Sequence, residues 1–169
     1  MSDPVRGEVE EVEDGPEYDL DFRAHPERYR HTPDERGAFK IEPYKSELLP
    51  DWTVSDLESA REAAATIHDR YEAYRADEDF VGMDMARKYL QMGWTRALRY
   101  AKYPGGRKRD SEGNEREPQQ WYDEEKHEIS QVYREHLDRV REDEAYGGAR
   151  ERHRDRYGDG DAEPADEQG

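Results

Sequence analysis

The bases of this chain are unevenly spread. Between Val81 and Asp110 stand Arg87, Lys88, Arg96, Arg99, Lys102, Arg107, Lys108 and Arg109, opposed only by Asp84 and Asp110. That stretch carries +6 inside a protein whose formal charge is -17, so the remainder sums to -23. Gathered cations attract an anion, and the residue types suggest which: Arg forks grip phosphate oxygens in pairs, and Tyr89, Tyr100 and Tyr103 offer faces on which the bases of a single strand can stack. Gly105-Gly106 lets backbone amides converge into an anion-accepting concavity, reinforced by Arg107, Lys108 and Arg109. Lys45, in a loop ahead of Leu48, Leu49 and Trp52, can join the same surface. The expected ligand is nucleic acid or another phosphate-bearing molecule, held by Lys45, Lys88, Arg96, Arg99, Lys102, Gly105, Gly106, Arg107, Lys108 and Arg109.

Two other readings stay open. Bases in the last turns of a helix complement its dipole, and the basic arc could dock this protein's own acidic third helix or a tail, which would make the chain an interaction or structural factor. Asp84, one turn before Lys88, could be a catalytic carboxylate beside Arg87 and Lys88. Nothing in the sequence supplies its partner, and an i to i+4 ion pair worth a few tenths of a kcal/mol explains it more simply. The Gly-rich, Ser-elbow and H-E-x-x-H signatures of nucleotide, hydrolase and zinc sites are absent. Glu124 to His127 forms one E-x-x-H, whereas carboxylate-bridged metal bundles need two plus further carboxylates. His68 reads as a helix-boundary residue. No catalytic residue, metal or cofactor is assigned.

Helices must position these residues. Ser55 with Glu58 reads as a capping box, and Leu57, Ala60, Ala64, Ile67, Tyr71 and Tyr74 recur at steps of three and four, predicting a helix to about Ala76. Acids at Asp77 to Asp79 open a second helix whose stripe runs through Phe80, Met83, Ala86, Leu90, Trp94, Ala97 and Ala101, ending near Tyr103 before Pro104-Gly105-Gly106. At about 100° per residue, Arg96, Arg99 and Lys102 fall within about 80° of Lys88, opposite the core stripe; Arg87 sits at the boundary. A third helix is expected from Pro118, through Tyr122, Ile129, Val132, His136 and Val140, to Gly147-Gly148. Ala38 to Glu42 alternates well enough for a short strand, paired with Arg28 to His31 across a turn at 32–37.

Composition bounds the whole. With 169 residues, 44 acids against 27 bases, and 42% of residues charged, the chain has one domain's length and a surplus of charge. Leu, Ile, Val and Phe make up only about 12% of it, below the ~20% at which high net charge usually means disorder. The 12 Tyr and 3 Trp argue otherwise, because each brings a large apolar area. Residues 1–21 and 148–169 read as acidic disordered tails around a mainly α domain at 22–147, a three-helix assembly with a small N-terminal β-hairpin. The absence of cysteine excludes disulfides, thiolate catalysis and cysteine zinc sites. The absence of a long apolar run or basic leader predicts a soluble, cytoplasmic protein with no membrane partner. Acidity joined to 21 Arg over 6 Lys fits an extreme halophile, whose molar salt shrinks the Debye length to ~3 Å.

The segments 42–47 (EPYKSE), 79–88 (DFVGMDMARK), 91–93 (QMG), 95–97 (TRA), 99–101 (RYA) and 105–108 (GGRK) resemble domain of unknown function 4385, a family of cellular and phage proteins. The resemblance spans roughly Tyr29 to Val140. The family has no established activity, so the likeness implies that the basic helix and the Gly-Gly-Arg-Lys loop belong to it but implies no mechanism. Lys102-Tyr103-Pro104 departs from a family pattern more like Asn-His-Lys, and no role tied to that His carries over.

Overall fold

The computed structural model describes residues 20–103, 106–117 and 122–160. Five α-helices run in the order α1 (Tyr44–Leu48), α2 (Leu57–Ala76), α3 (Phe80–Lys102), α4 (Glu124–Arg141) and α5 (Glu144–Tyr157), with short 3₁₀ turns at Pro26–Arg28 and Leu49–Asp51. None of these helices is long and apolar enough to cross a membrane.

Each long helix opens on an aspartate whose carboxylate accepts an otherwise unpaired amide. Asp56 accepts from Ser59 N at 2.8 Å, Asp79 from Gly82 N at 3.1 Å, Asp123 from Lys126 N at 3.1 Å and Asp143 from Ala145 N at 3.0 Å. The cap of α2 is thus Asp56 rather than Ser55, whose hydroxyl bonds to the Asp56 carboxylate at 3.3 Å. The α2 stripe is buried as expected at Ala60, Ala64, Ile67, Tyr71 and Tyr74, with Ala63 added. Between α2 and α3 the chain reverses in one tight turn: Asp79 N donates to Tyr74 O and Glu78 N to Arg75 O, with Glu78 in the left-handed region at φ 57°.

α3 is the central element, and every residue from Phe80 to Gly93 is buried. α2 and α4 pack along it, and α5 touches its first half. At Gly93 a side chain would run into the Tyr133 ring, so the absence of a Cβ lets α3 and α4 come together there. α4 also closes the open end of α2: Glu125 accepts from Leu57 N at 2.9 Å, and Lys126 donates to Val54 O at 2.6 Å.

Two expectations are corrected. The chain continues as helix through Gly147-Gly148, because Asp143 caps α5 and Tyr146 and His153 bury against the core. The N-terminal hairpin does not form, and the described residues hold no strand, only isolated bridges between Asp21 and Glu42 and between Arg109 and Glu115. Ala38, Lys40 and Ile41 spend their amides on Glu35 O and Gly37 O within one turn. The carbonyls of Thr32, Pro33, Asp34 and Arg36, in the expected turn, accept from Arg87 and Lys88 and tie the segment to α3. The segment still covers α3 through Phe22, Tyr29, Ala38 and Ile41.

Candidate functional site

The N-terminal half of α3 carries Asp84, Arg87 and Lys88 into the interior, at 0%, 2% and 1% exposure. Asp84 accepts from Tyr29 Oη at 2.5 Å, Tyr146 Oη at 2.6 Å, His31 Nδ1 at 2.9 Å and Arg87 Nη2 at 2.9 Å. Burial pushes its carboxyl up, but Arg87, His31 and Lys88 outweigh burial and hold it well below the usual carboxylate range. Arg87 spends its remaining donors on Thr32 O at 2.6 Å, on Pro33 O and Asp34 O at 3.1 Å, and on Gln91 Oε1 at 2.8 Å. Asp84 is therefore a permanent anion with its oxygens saturated by donors. Such a group ties three parts of the chain together and has no lone pair left for a substrate proton.

Lys88 is the correction with the largest consequence. The helical wheel sets it among exposed bases, but the N-terminal segment lies over that face. Its Nζ donates to Arg36 O at 2.6 Å and Thr32 Oγ1 at 3.1 Å and lies 5.2 Å from the centroid of the Tyr29 ring. Burial lowers the amine to about 8, with Arg87 and Arg36 adding to the effect and Asp84 opposing it.

The other expected ligand residues part company with Lys88. Arg96 is half-buried, its guanidinium 5.4 Å from the Phe39 ring and 5.9 Å from the Trp52 ring. Lys45 and Lys102 are half-buried, whereas Arg99, Arg107, Lys108 and Arg109 are exposed. Gly105 lies outside the described residues. Gly106, at φ 72°, places its α-carbon against the Tyr100 ring and donates its amide to Tyr103 O at 2.8 Å. That amide closes a turn and so does not point into an anion hollow. On the acidic helix considered as the arc's internal partner, Glu125 caps α2 instead.

The hollow that does gather cations lies over Lys88. It measures about 180 Å³ and is lined by Arg28, Arg30, Arg36, Lys40 and Lys88, with Phe22, Tyr29 and Ile41 as its apolar wall and Thr32 and Gly37 completing it. Among the described residues no carboxylate lines it. Of the acids of the same loop, Glu35 accepts from Thr95 Oγ1 at 2.9 Å, whereas Asp34 pairs with Arg36, one of these cations, at 3.4 Å. Arg28, Arg30, Arg36 and Lys40 escaped sequence reasoning because they are scattered through a turn-rich segment without periodicity. A larger hollow of about 730 Å³, between the α2–α3 turn and α5, mixes Arg23, Arg75, Arg152 and Arg156 with Asp77, Glu78 and Asp79 and so favours neither sign. No group of three or more His, Asp or Glu among the described residues is placed to hold a metal ion.

No curated protein and no solved structure matches the chain. A family model matches over residues 12–156, a wider span than the motifs alone mark out and one that takes in the segment over Lys88, all of α3 and nearly all of α5. The chain belongs to that family, described as Domain of unknown function (DUF4385).

Proposed function

We propose that this protein is a binding module for a small phosphate-bearing ligand, held in the hollow above Lys88. One observation carries the reading: in a chain of net charge -17, five cations and, among the described residues, no carboxylate line one small hollow. Asp34 beside Arg36 and Asp84 near Lys88 offset part of this charge, and a phosphate would add several charge-assisted hydrogen bonds at once. Four of the five come from a segment that the Asp84 cluster fixes to α3, so the site is organised before a ligand arrives, which lowers the ordering cost of binding. The apolar wall at Phe22, Tyr29 and Ile41 suits the carbon part of a phosphomonoester.

Titration calorimetry with inorganic pyrophosphate tests this. Wild type should bind, and Arg28→Glu with Lys40→Glu, both on the rim, should weaken binding by at least about tenfold while leaving the circular dichroism spectrum unchanged. Equal binding by both proteins rejects the site.

A second reading takes a longer polyanion, such as nucleic acid, along Arg99, Arg107, Lys108 and Arg109. It is favoured by the exposure of all four. Arg99→Glu with Arg107→Glu should then abolish retention on a polyanion column in molar KCl; unchanged retention removes this reading.

A further inference from the structure

Phosphate binding alone asks only for fixed positive charge, which Arg28, Arg30, Arg36 and Lys40 supply from the rim of the hollow. Lys88 offers something different. It is a primary amine on the longest described helix, almost fully buried, that lines the hollow and donates from Nζ to Arg36 O and Thr32 Oγ1. A buried amine ringed by cations holds its proton less firmly, and near pH 7 an amine lowered to about 8 is neutral in about a tenth of molecules, against well under a thousandth for an ordinary lysine. A neutral amine beside a phosphate cradle is a nucleophile placed against whatever the phosphate carries.

The volume limits that cargo. At roughly 20–30 Å³ per heavy atom, about 180 Å³ holds six to nine atoms, enough for a phosphate and a carbonyl chain of two or three carbons. We propose that Lys88 captures small phosphorylated aldehydes or ketones as an imine, their phosphate resting among Arg28, Arg30, Arg36 and Lys40. This rests on the phosphate reading above. The Nζ lone pair attacks the carbonyl carbon to give a carbinolamine. The C–O bond then breaks as C=N forms, and the oxygen leaves as water with the two protons the amine gives up. The Thr32 hydroxyl, 3.1 Å from Nζ, is positioned to pass one of them.

Glycolaldehyde phosphate, trapped with borohydride and mapped by peptide mass spectrometry, tests the proposal on the full chain. The six lysines of the sequence give an internal comparison: Lys40, Lys45, Lys88, Lys102, Lys108 and Lys126. Lys88 should be modified at least about tenfold faster than any other, and pyrophosphate should slow it. Lys88→Arg should lose the adduct; should that variant fail to fold, the wild-type map decides by itself. Pyrophosphate binding without preferential labelling of Lys88 overturns the imine and leaves the phosphate site standing. Equal labelling by glycolaldehyde and its phosphate, with no pyrophosphate binding, overturns both.

Discussion

Asp84 shows how one buried charge can be structural without being chemical. Its carboxylate pairs with Arg87 inside the core, and each aromatic hydroxyl around it, Tyr29 and Tyr146, comes from a different part of the chain. Removing one partner of a buried pair leaves the other uncompensated, which costs about 3–5 kcal/mol. Asp84→Asn keeps the shape and removes the charge, so urea unfolding should show a loss of that size, with α5 and the N-terminal segment loosening together. A loss under about 1 kcal/mol would mean that the tyrosines and Arg87 re-pair without it. The sequence showed Asp84 as an isolated acid among bases, and its ion pair with Arg87 sits at i to i+3 rather than with Lys88 at i to i+4. The wheel that placed Lys88 opposite Leu90 was correct in angle. It could not show that a segment lacking any periodic pattern would cover that face.

At the scale of elements, helix against helix is read by side chains that recur, and contacts that occur once are not. The stripes of α2 and α3 were legible because apolar residues repeat every three or four positions, and the thin stripe of α4 still marked Ile129 and Val140. α5 was not legible: with Tyr146 and His153 its only buried side chains and two glycines inside, it resembles a tail until Asp84 and Tyr29 are seen holding it. The contact of His68 with His136, joining α2 to α4, is of the same unrepeated kind, with Nδ1 to Nδ1 at 2.7 Å. Arg139 can only donate, and it lies 3.1 Å from His136 Nδ1, so that nitrogen accepts and His68 Nδ1 carries the shared proton. Burial, then His68 and Arg139, push His136 down to about 4, with Glu135 and Asp69 opposing; burial and Arg139 lower His68 as well, against Glu72 and Asp69. Between about 6.5 and 4 the unfolded chain holds more protons than the folded one, so stability falls as pH falls through that window. Allowing for partial exposure, we expect a loss of about 1–2 kcal/mol attributable to this pair. His136→Phe should flatten this part of the profile in urea titrations at pH 7 and pH 4.5; an unchanged slope would place the pH response elsewhere.

For the molecule as a whole, composition pulled two ways: few aliphatic residues and a charge of -17 suggested disorder, yet the fold closes on tyrosine. Tyr29, Tyr44, Tyr71, Tyr74, Tyr89, Tyr133 and Tyr146 are all buried, and each of their hydroxyls finds an acceptor, such as Asp79 for Tyr44, Asp143 for Tyr71, Glu47 for Tyr74 and Thr53 O for Tyr133. A core of this kind supplies apolar area from rings while using surface carboxylates as hydrogen-bond acceptors, which is how so acidic a chain can still close. The remaining acids repel one another across the surface, and that repulsion is what salt removes: the Debye length falls from ~10 Å at 0.1 M to ~3 Å at 1 M. The melting temperature should therefore rise by at least about 4 °C between 0.1 and 1 M KCl, a gain of about 1–2 kcal/mol for a chain of this size. The Asp84 pair, at 0% and 3% side-chain exposure, lies out of reach of the added ions. The stability difference between wild type and Asp84→Asn should thus stay constant within about 0.5 kcal/mol at both salts. A flat melting temperature would show that surface repulsion does not limit this fold, and a shrinking difference would show that water and ions reach the cluster that fixes the N-terminal segment to α3.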